Sequence, residues 1–312
     1  MSNAVLVVAF VILLAANSAR AEAPAVAVDI APLHSLVTQV MGMRGTPELI
    51  VPTGASPHNH ALRPSEAQAL QTADIVFLIS DELTPSLADR IDTLAPDAVR
   101  MEMMAISGTT VLPFRQSPLF EGQNSATHEE GHEEGHEEGH DHGELDPHAW
   151  LDPSNAVVWL DAIAVALSKL DPQFASTYSA NAESGKKELM TLVTDVEGML
   201  APVRDRSFIV FHDAYQYFEV AFRFHASGAI SLSDASKPAP ARIRKIHDLV
   251  DDAGISCVLA EPQFNSDLVA TVLDGTAARS SVMDPLGSHL QPGPDLYYEL
   301  VRELGETLAD CL

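Results

Sequence analysis

Hydrophobic and polar positions change rhythm in blocks along this chain. Short apolar runs with β-forming character occupy residues 25–30, 48–51, 75–79 and 99–103. Between them, residues 33–41, 65–71 and 83–94 carry apolar positions at helical spacing. Strands that alternate with helices predict βαβ units and a mainly parallel sheet. A second series follows, with strands expected at 208–211, 255–260 and 282–283 and helices at 241–253 and 267–277. Residues 296–311 close the chain as a helix. Between the two series, residues 155–170 form an amphipathic helix, with Asp152 or Ser154 available as N-cap and Pro153 at its start. Residues 174–200 continue as one long helical pattern, interrupted only by Gly185 and Gly198. The expected fold class is α/β, with two lobes of mainly parallel sheet joined by a long helix. The expected boundaries are 22–171 for the first lobe, 172–203 for the linker helix and 204–312 for the second lobe.

Two segments fall outside this pattern. Residues 4–16 are apolar but too few to span a bilayer, and Ala19-Arg20-Ala21 supplies an A-x-A cleavage pattern. Residues 1–21 are therefore expected to be a signal peptide with Glu22 as the mature start, although Met1–Asn3 carry no Lys or Arg. Residues 117–146 contain the tract HEEGHEEGHEEGHDHGELD, which carries eight carboxylates through Glu144 and no basic residue. Charge repulsion, a recurrent Gly and nothing apolar to bury predict a flexible acidic loop.

The length of 312 residues suits two domains, and a 46% hydrophobic content allows each a core. A formal charge of -26, from 18 basic and 44 acidic residues, argues against nucleic acid or an anionic membrane surface as partner. The two cysteines, Cys257 and Cys311, are expected to be joined in an exported protein. Such a bond would staple the last helix to a core strand.

The 13 histidines carry the chemistry. His128, His132, His136, His140 and His142 lie in the acidic tract. The three repeats from His128 to His140 satisfy H-E-x-x-H in letters, but a Gly in every repeat and no apolar backing exclude a metalloprotease helix. Imidazole and carboxylate at high local density instead suit weak binding of Zn²⁺. The other histidines stand singly. His58 sits in a strand-to-helix loop, His148 just before a helix and His212 at a strand end, and Asp284 ends a further strand. In α/β proteins such ends are where ligand groups gather. Three neutral imidazoles and one carboxylate suit tetrahedral Zn²⁺.

The segments GASPHNHALRPSEAQALQTADIVF, DPHAWLDPSNA, FIVFHDAYQYFEVAF, CVLAEPQFNSDLVATV and MDPLGSHL occur in that order over nearly the whole chain. They resemble the zinc-specific periplasmic solute-binding proteins of bacterial high-affinity ABC uptake systems. The resemblance implies two lobes on a rigid helix, one metal between them, and a monomer that docks on a membrane permease with its cytoplasmic ATPase. It implies His58, His148 and His212 as ligands, and Asp284 as the fourth in many relatives. Other members use a carboxylate before the first His, or a water; here that position is Pro57, which leaves Asp284, ranked first, His60 or a water. Glu261 is implied as a partner orienting an imidazole, and the cysteine pair matches the family's disulfide. Two alternatives stay open: a manganese or iron carrier of the same fold, whose members place a carboxylate where His212 stands, and a zinc hydrolase using the three histidines and a bound water. No nucleophile elbow, phosphate-binding glycine loop or paired catalytic acids favour an enzyme.

Overall fold

Strands buried on both faces need no polar alternation, and Ile75–Leu78, with the sequence IVFL, has none. The computed structural model describes residues 22–115, 117, 119, 120, 145–232, 238–264 and 266–312. The expected signal peptide and the histidines of the acidic tract lie outside these residues.

The first sheet is built from β1 (Val26–Val28), β2 (Glu48–Leu49), β3 (Ile75–Leu78) and β4 (Val99–Glu102), interleaved with α1 (Ala31–Met41), α2 (Pro64–Thr72) and α3 (Pro85–Leu94). Its order is β2-β1-β3-β4 and every pairing is parallel. Next come α4 (Pro153–Leu170) and α5 (Ala175–Leu200). Asp152 is the N-cap of α4, its carboxylate accepting the Ser154 N–H, and Pro153 takes the first helical position. The second sheet comprises β5 (Phe208–His212), β6 (Gly228–Ser231), β7 (Cys257–Ala260) and β8 (Arg279–Val282), in the order β6-β5-β7-β8, again all parallel. Its helices are α6 (Gln216–Phe222), α7 (Pro240–Asp252) and α8 (Ser266–Leu273), and α9 (Leu296–Cys311) ends the chain.

This is the α/β architecture of two parallel sheets that the periodicity predicts, with differences of detail. β6 and α6 were not expected: Gly-Ala-Ile-Ser is too short and too mixed to stand out as an apolar run. β8 runs through the polar Arg279-Ser280-Ser281 and ends at Val282, not across 282–283. Its placement comes from pairing with β7 rather than from its own composition.

The two sheets share one apolar core. It contains Val28 and Phe77 of the first sheet, Phe208 and Val210 of the second, and Trp159, Leu189 and Leu304 of the helices between them. α5 packs against α1, α4 and α9, and α9 also packs against α1. The approach of α9 to α5 is close: a Cβ on Gly305 would stand 2.8 Å from Val196 Cγ1. Among the described residues, no helix is long and apolar enough to cross a membrane.

Cys257 opens β7 and Cys311 ends α9, and they form a disulfide with Cα atoms 5.7 Å apart. The bond fastens the last helix to an inner strand, as the sequence suggests. Cys311→Ser is expected to lower unfolding free energy by about 2–5 kcal/mol. Denaturant titration checks this, with a matching loss in wild type after reduction; an unchanged midpoint in both would refute it.

Candidate metal centre

In an open parallel sheet, ligands gather outside the carboxyl ends of the strands where strand order reverses. In the second sheet that point lies between β5 and β7. His212 is the last residue of β5, and Glu261 directly follows β7. Their side chains meet there: His212 Nδ1 lies 2.6 Å from Glu261 Oε1, and the His212 backbone N–H donates to the same oxygen at 3.3 Å. An oxygen that accepts a backbone N–H makes Nδ1 the ring donor and leaves the lone pair on Nε2.

His148 repeats this device from another direction. It precedes a 3₁₀ turn at Ala149–Leu151, and its Nδ1 lies 2.7 Å from Asp146 Oδ1, which also accepts the His148 backbone N–H at 3.0 Å. Burial pushes the Asp146 carboxyl up to about 7, against the backbone bond and nearby Arg115 and His212. Burial likewise raises Glu261, opposed chiefly by His212. His58 comes from the third direction, in a 3₁₀ turn at Pro57–Asn59 set by Pro57 at its start.

The three imidazoles converge. One ligand atom from each of His58, His148 and His212 lies within 4.8 Å of the others. The ring centroids of His58 and His148 are 5.4 Å apart, and those of His148 and His212 are 5.2 Å apart. His148 Nε2 and His212 Nε2 stand 3.4 Å apart. With both Nδ1 atoms donating to carboxylates, two lone pairs face each other across that gap. Such a contact repels unless a cation or a proton lies between. Zn–N bonds of 2.0–2.1 Å in a tetrahedron set nitrogen atoms about 3.3–3.4 Å apart. The observed spacing is that edge.

The walls are apolar. Trp150 lies 5.3 Å from His148 between ring centroids, and Phe264 lies 5.4 Å from His212 while stacking on Phe211. His148 and His212 are 3% and 4% exposed, and His58 is only half-buried, so the site opens on the His58 side.

Among the described residues, the convergent group contains neither Asp284 nor His60. Asp284 lies in the turn after β8, and both its oxygens are engaged: Oδ1 accepts from Leu286 N–H and Gln263 Nε2, and Oδ2 from the N–H and Oγ of Ser288. His60 turns to Glu66, Nε2 to Oε2 2.8 Å, and the same oxygen accepts the Arg63 N–H at the start of α2. Asp146 is the functional residue that sequence reasoning passed over, though a carboxylate two residues before a histidine was a visible signal.

The family model described as ZnuA: Zinc-uptake complex component A periplasmic matches residues 26–311. The high-affinity zinc uptake system protein ZnuA of Brucella abortus (strain 2308) is 42% identical over 313 residues, covering 95% of this chain and 94% of that protein. Among solved structures, one described as the crystal structure of ZnuA superposes with a TM-score of 0.75 at 20% identity, covering 92% of this chain and 98% of that one. The solute-binding protein FpvC of Pseudomonas aeruginosa in complex with Mn²⁺ superposes with a TM-score of 0.74, also at 20% identity, covering 92% and 97%. At that identity both share the fold alone, so the fold leaves the choice of metal to the site. The full-length family match and the relative at 42% identity place this chain in the ZnuA family of zinc-uptake components.

Proposed function

We propose that this chain is the periplasmic zinc-capturing component of an ABC importer, which holds one Zn²⁺ on His58, His148 and His212 and passes it to a membrane permease driven by a cytoplasmic ATPase. The reading includes export by the leader at 1–21 and action as a monomer. The observation that carries it is the 3.4 Å gap between two imidazole nitrogens whose other ring nitrogens are committed to carboxylates. Membership in the zinc-uptake family supports the same cargo.

Nitrogen donors favour zinc over manganese, which prefers oxygen. That supports zinc over the manganese or iron alternative, since the position that would offer a carboxylate is His212. A hydrolase needs a base free to activate water. Here Asp146 and Glu261 are each occupied by an imidazole N–H, which supports carriage over catalysis. Glu261 and Asp146 orient His212 and His148 and raise their basicity. Asp284 would have to give up its bonds to Ser288 to reach an ion, so we assign it to holding its own turn and leave the fourth position to solvent.

His212→Ala is expected to weaken zinc by orders of magnitude, and Asp284→Asn by about tenfold at most. Competition titration against a chelator reads both. Intact affinity in the first variant removes His212 from the site, and an equally large loss in the second restores Asp284 as a ligand.

Affinity is also expected to fall as pH drops through about 6.5, because protonated imidazole cannot ligate. The sign follows from protons being released as zinc binds. Calorimetry in buffers of different ionisation enthalpy measures that release, and affinity independent of pH between 5 and 8 would contradict nitrogen ligation.

The tract of His128, His132, His136, His140 and His142 is assigned a weak reservoir role. Deleting residues 128–142 is expected to reduce the number of zinc ions bound while sparing the tight site. Loss of tight binding on deletion would exchange the two assignments.

A further inference from the structure

One buried cation stands behind the imidazoles, and the zinc site as described gives it no part. Arg115 is 8% exposed. Its Nη2 donates to Glu219 Oε1 at 2.7 Å and its Nη1 to Glu219 Oε2 at 3.3 Å. Its Nε lies 3.3 Å from Asp213 Oδ1, and its guanidinium carbon sits 4.0 Å from the centre of the Phe120 ring. Glu219 and Asp213 are 2% and 1% exposed. A buried guanidinium costs several kcal/mol of desolvation, so it persists only where the geometry of its partners is fixed. Its planar fork in turn imposes that geometry on Glu219, while Asp213 is held by charge alone.

The segment that carries Arg115 joins the two arms of the site. At one end, Leu112 receives the Asp146 N–H on its carbonyl at 2.9 Å and donates its own N–H to Tyr217 Oη at 2.9 Å. Pro113 pairs with Leu145 in an antiparallel bridge. These contacts hold Asp146, the carboxylate behind His148, and Tyr217 Oη donates to the Asp146 carbonyl at 2.8 Å. At the other end, Leu119 bridges to Gly228 of β6, and the Phe120 N–H donates to Ser227 O at 3.0 Å. β6 is the neighbour of β5, which ends in His212. Arg115 lies between these attachments, and Asp213, which it pairs with, is the residue after His212.

We propose that Arg115 is a positioning residue for zinc binding: by clamping this segment to Glu219 and Asp213, it fixes the spacing between the Asp146–His148 arm and the His212 strand end. The inference rests on the reading of His58, His148 and His212 as the zinc ligands. Arg115 touches no ligand imidazole; it acts through the backbone that carries them. Its positive charge also favours the ionised form of Asp146 and Asp213, which burial opposes.

The test uses the full mature chain, with wild type, Arg115→Met, Arg115→Lys and His212→Ala measured together. Zn²⁺ affinity comes from competition with a chromogenic chelator, and geometry from the visible ligand-field bands of the Co²⁺ adduct. Arg115→Met is expected to weaken zinc about tenfold or more, the range found for residues that orient ligands. Its cobalt bands should lose intensity as tetrahedral geometry is lost. Arg115→Lys keeps the charge without the fork and should recover part of both. A folded Arg115→Met protein that binds zinc as tightly as wild type, with the same cobalt spectrum, overturns the proposal. Equal losses in the Met and Lys variants with an unchanged cobalt spectrum do so too, since that is general destabilisation. If Arg115→Met does not fold, Glu219→Gln removes the charge that holds the fork and is judged by the same two readings. Tight binding by His212→Ala would instead sink the ligand assignment, so the two failures are distinguishable.

Discussion

Everything at the centre of this molecule depends on a bond made twice: a carboxylate that accepts both the ring Nδ1–H and the backbone N–H of one histidine. The double acceptance fixes the tautomer and the ring orientation together. It turns each Nε2 toward the interior of the site, and the two approach to 3.4 Å from different parts of the chain. His148 takes its carboxylate from its own segment, two residues back, but His212 could not. Glu261 reaches His212 because β5 and β7 are neighbours in the sheet, although 49 residues separate the pair in the chain. β7 is in turn fixed at its first residue by the disulfide to α9. The sheet topology, the terminal helix and the covalent staple all converge on the position of one carboxylate.

The surrounding frame uses buried hydroxyl and indole donors to tie separate segments by their backbones. Trp150 Nε1 donates to Pro285 O at 2.8 Å, Tyr297 Oη to Trp150 O at 2.7 Å, and Tyr215 Oη to Met283 O at 2.7 Å. The His148 arm, the turn of Asp284 and the start of α9 are thereby pinned to one another. Ser35 of α1 joins the same frame, accepting the Tyr297 N–H and donating to Pro294 O. Losing one such bond leaves a buried polar group unpaired, at a cost of about 1–3 kcal/mol. A wall built this way holds its shape before the cargo arrives, so binding energy is not spent on arranging ligands.

How much of this was legible in sequence depends on where the information lay. His212 was visible because Phe208–Phe211 is an uninterrupted apolar run that stops at His-Asp; β5 does end there. His58 and His148 were visible as polar residues in short connections bounded by proline. Whether His60 or Asp284 joins them was not, because the partner that claims His60 is Glu66, held at the start of α2 by the Arg63 N–H. Asp284 was expected at a strand end on the strength of Val282-Met283. The strand instead ends at Val282 after three residues of no β-like pattern, held by pairing with β7, and the aspartate is drawn into a turn by Ser288. β6 escaped notice for the same reason as β8: short parallel strands at the sheet margin owe their structure to partners. Local pattern reports local causes, and these were not local.

In the proposed site, neutral donors face the ion while charge stands one step behind. Asp146, Asp213, Glu219 and Glu261 are all buried around the imidazoles, with Arg115 in contact with two of them. Burial, opposed by Arg115 and His212, leaves the Asp146 and Asp213 carboxyls pushed up to about 7. A divalent cation at the imidazoles works in the opposite sense, because its field favours every one of these carboxylates in ionised form. A cation held as proposed would thus gain long-range attraction from anionic groups without receiving a carboxylate oxygen as a ligand. That separation matters for selectivity. A net charge of -26 draws all cations alike, including calcium and magnesium, which are hard ions that bind oxygen. Had the carboxylates themselves lined the site, those abundant ions would compete directly. With imidazole nitrogen at the point of contact and carboxylate behind it, as proposed, the acidic protein would attract broadly and bind narrowly.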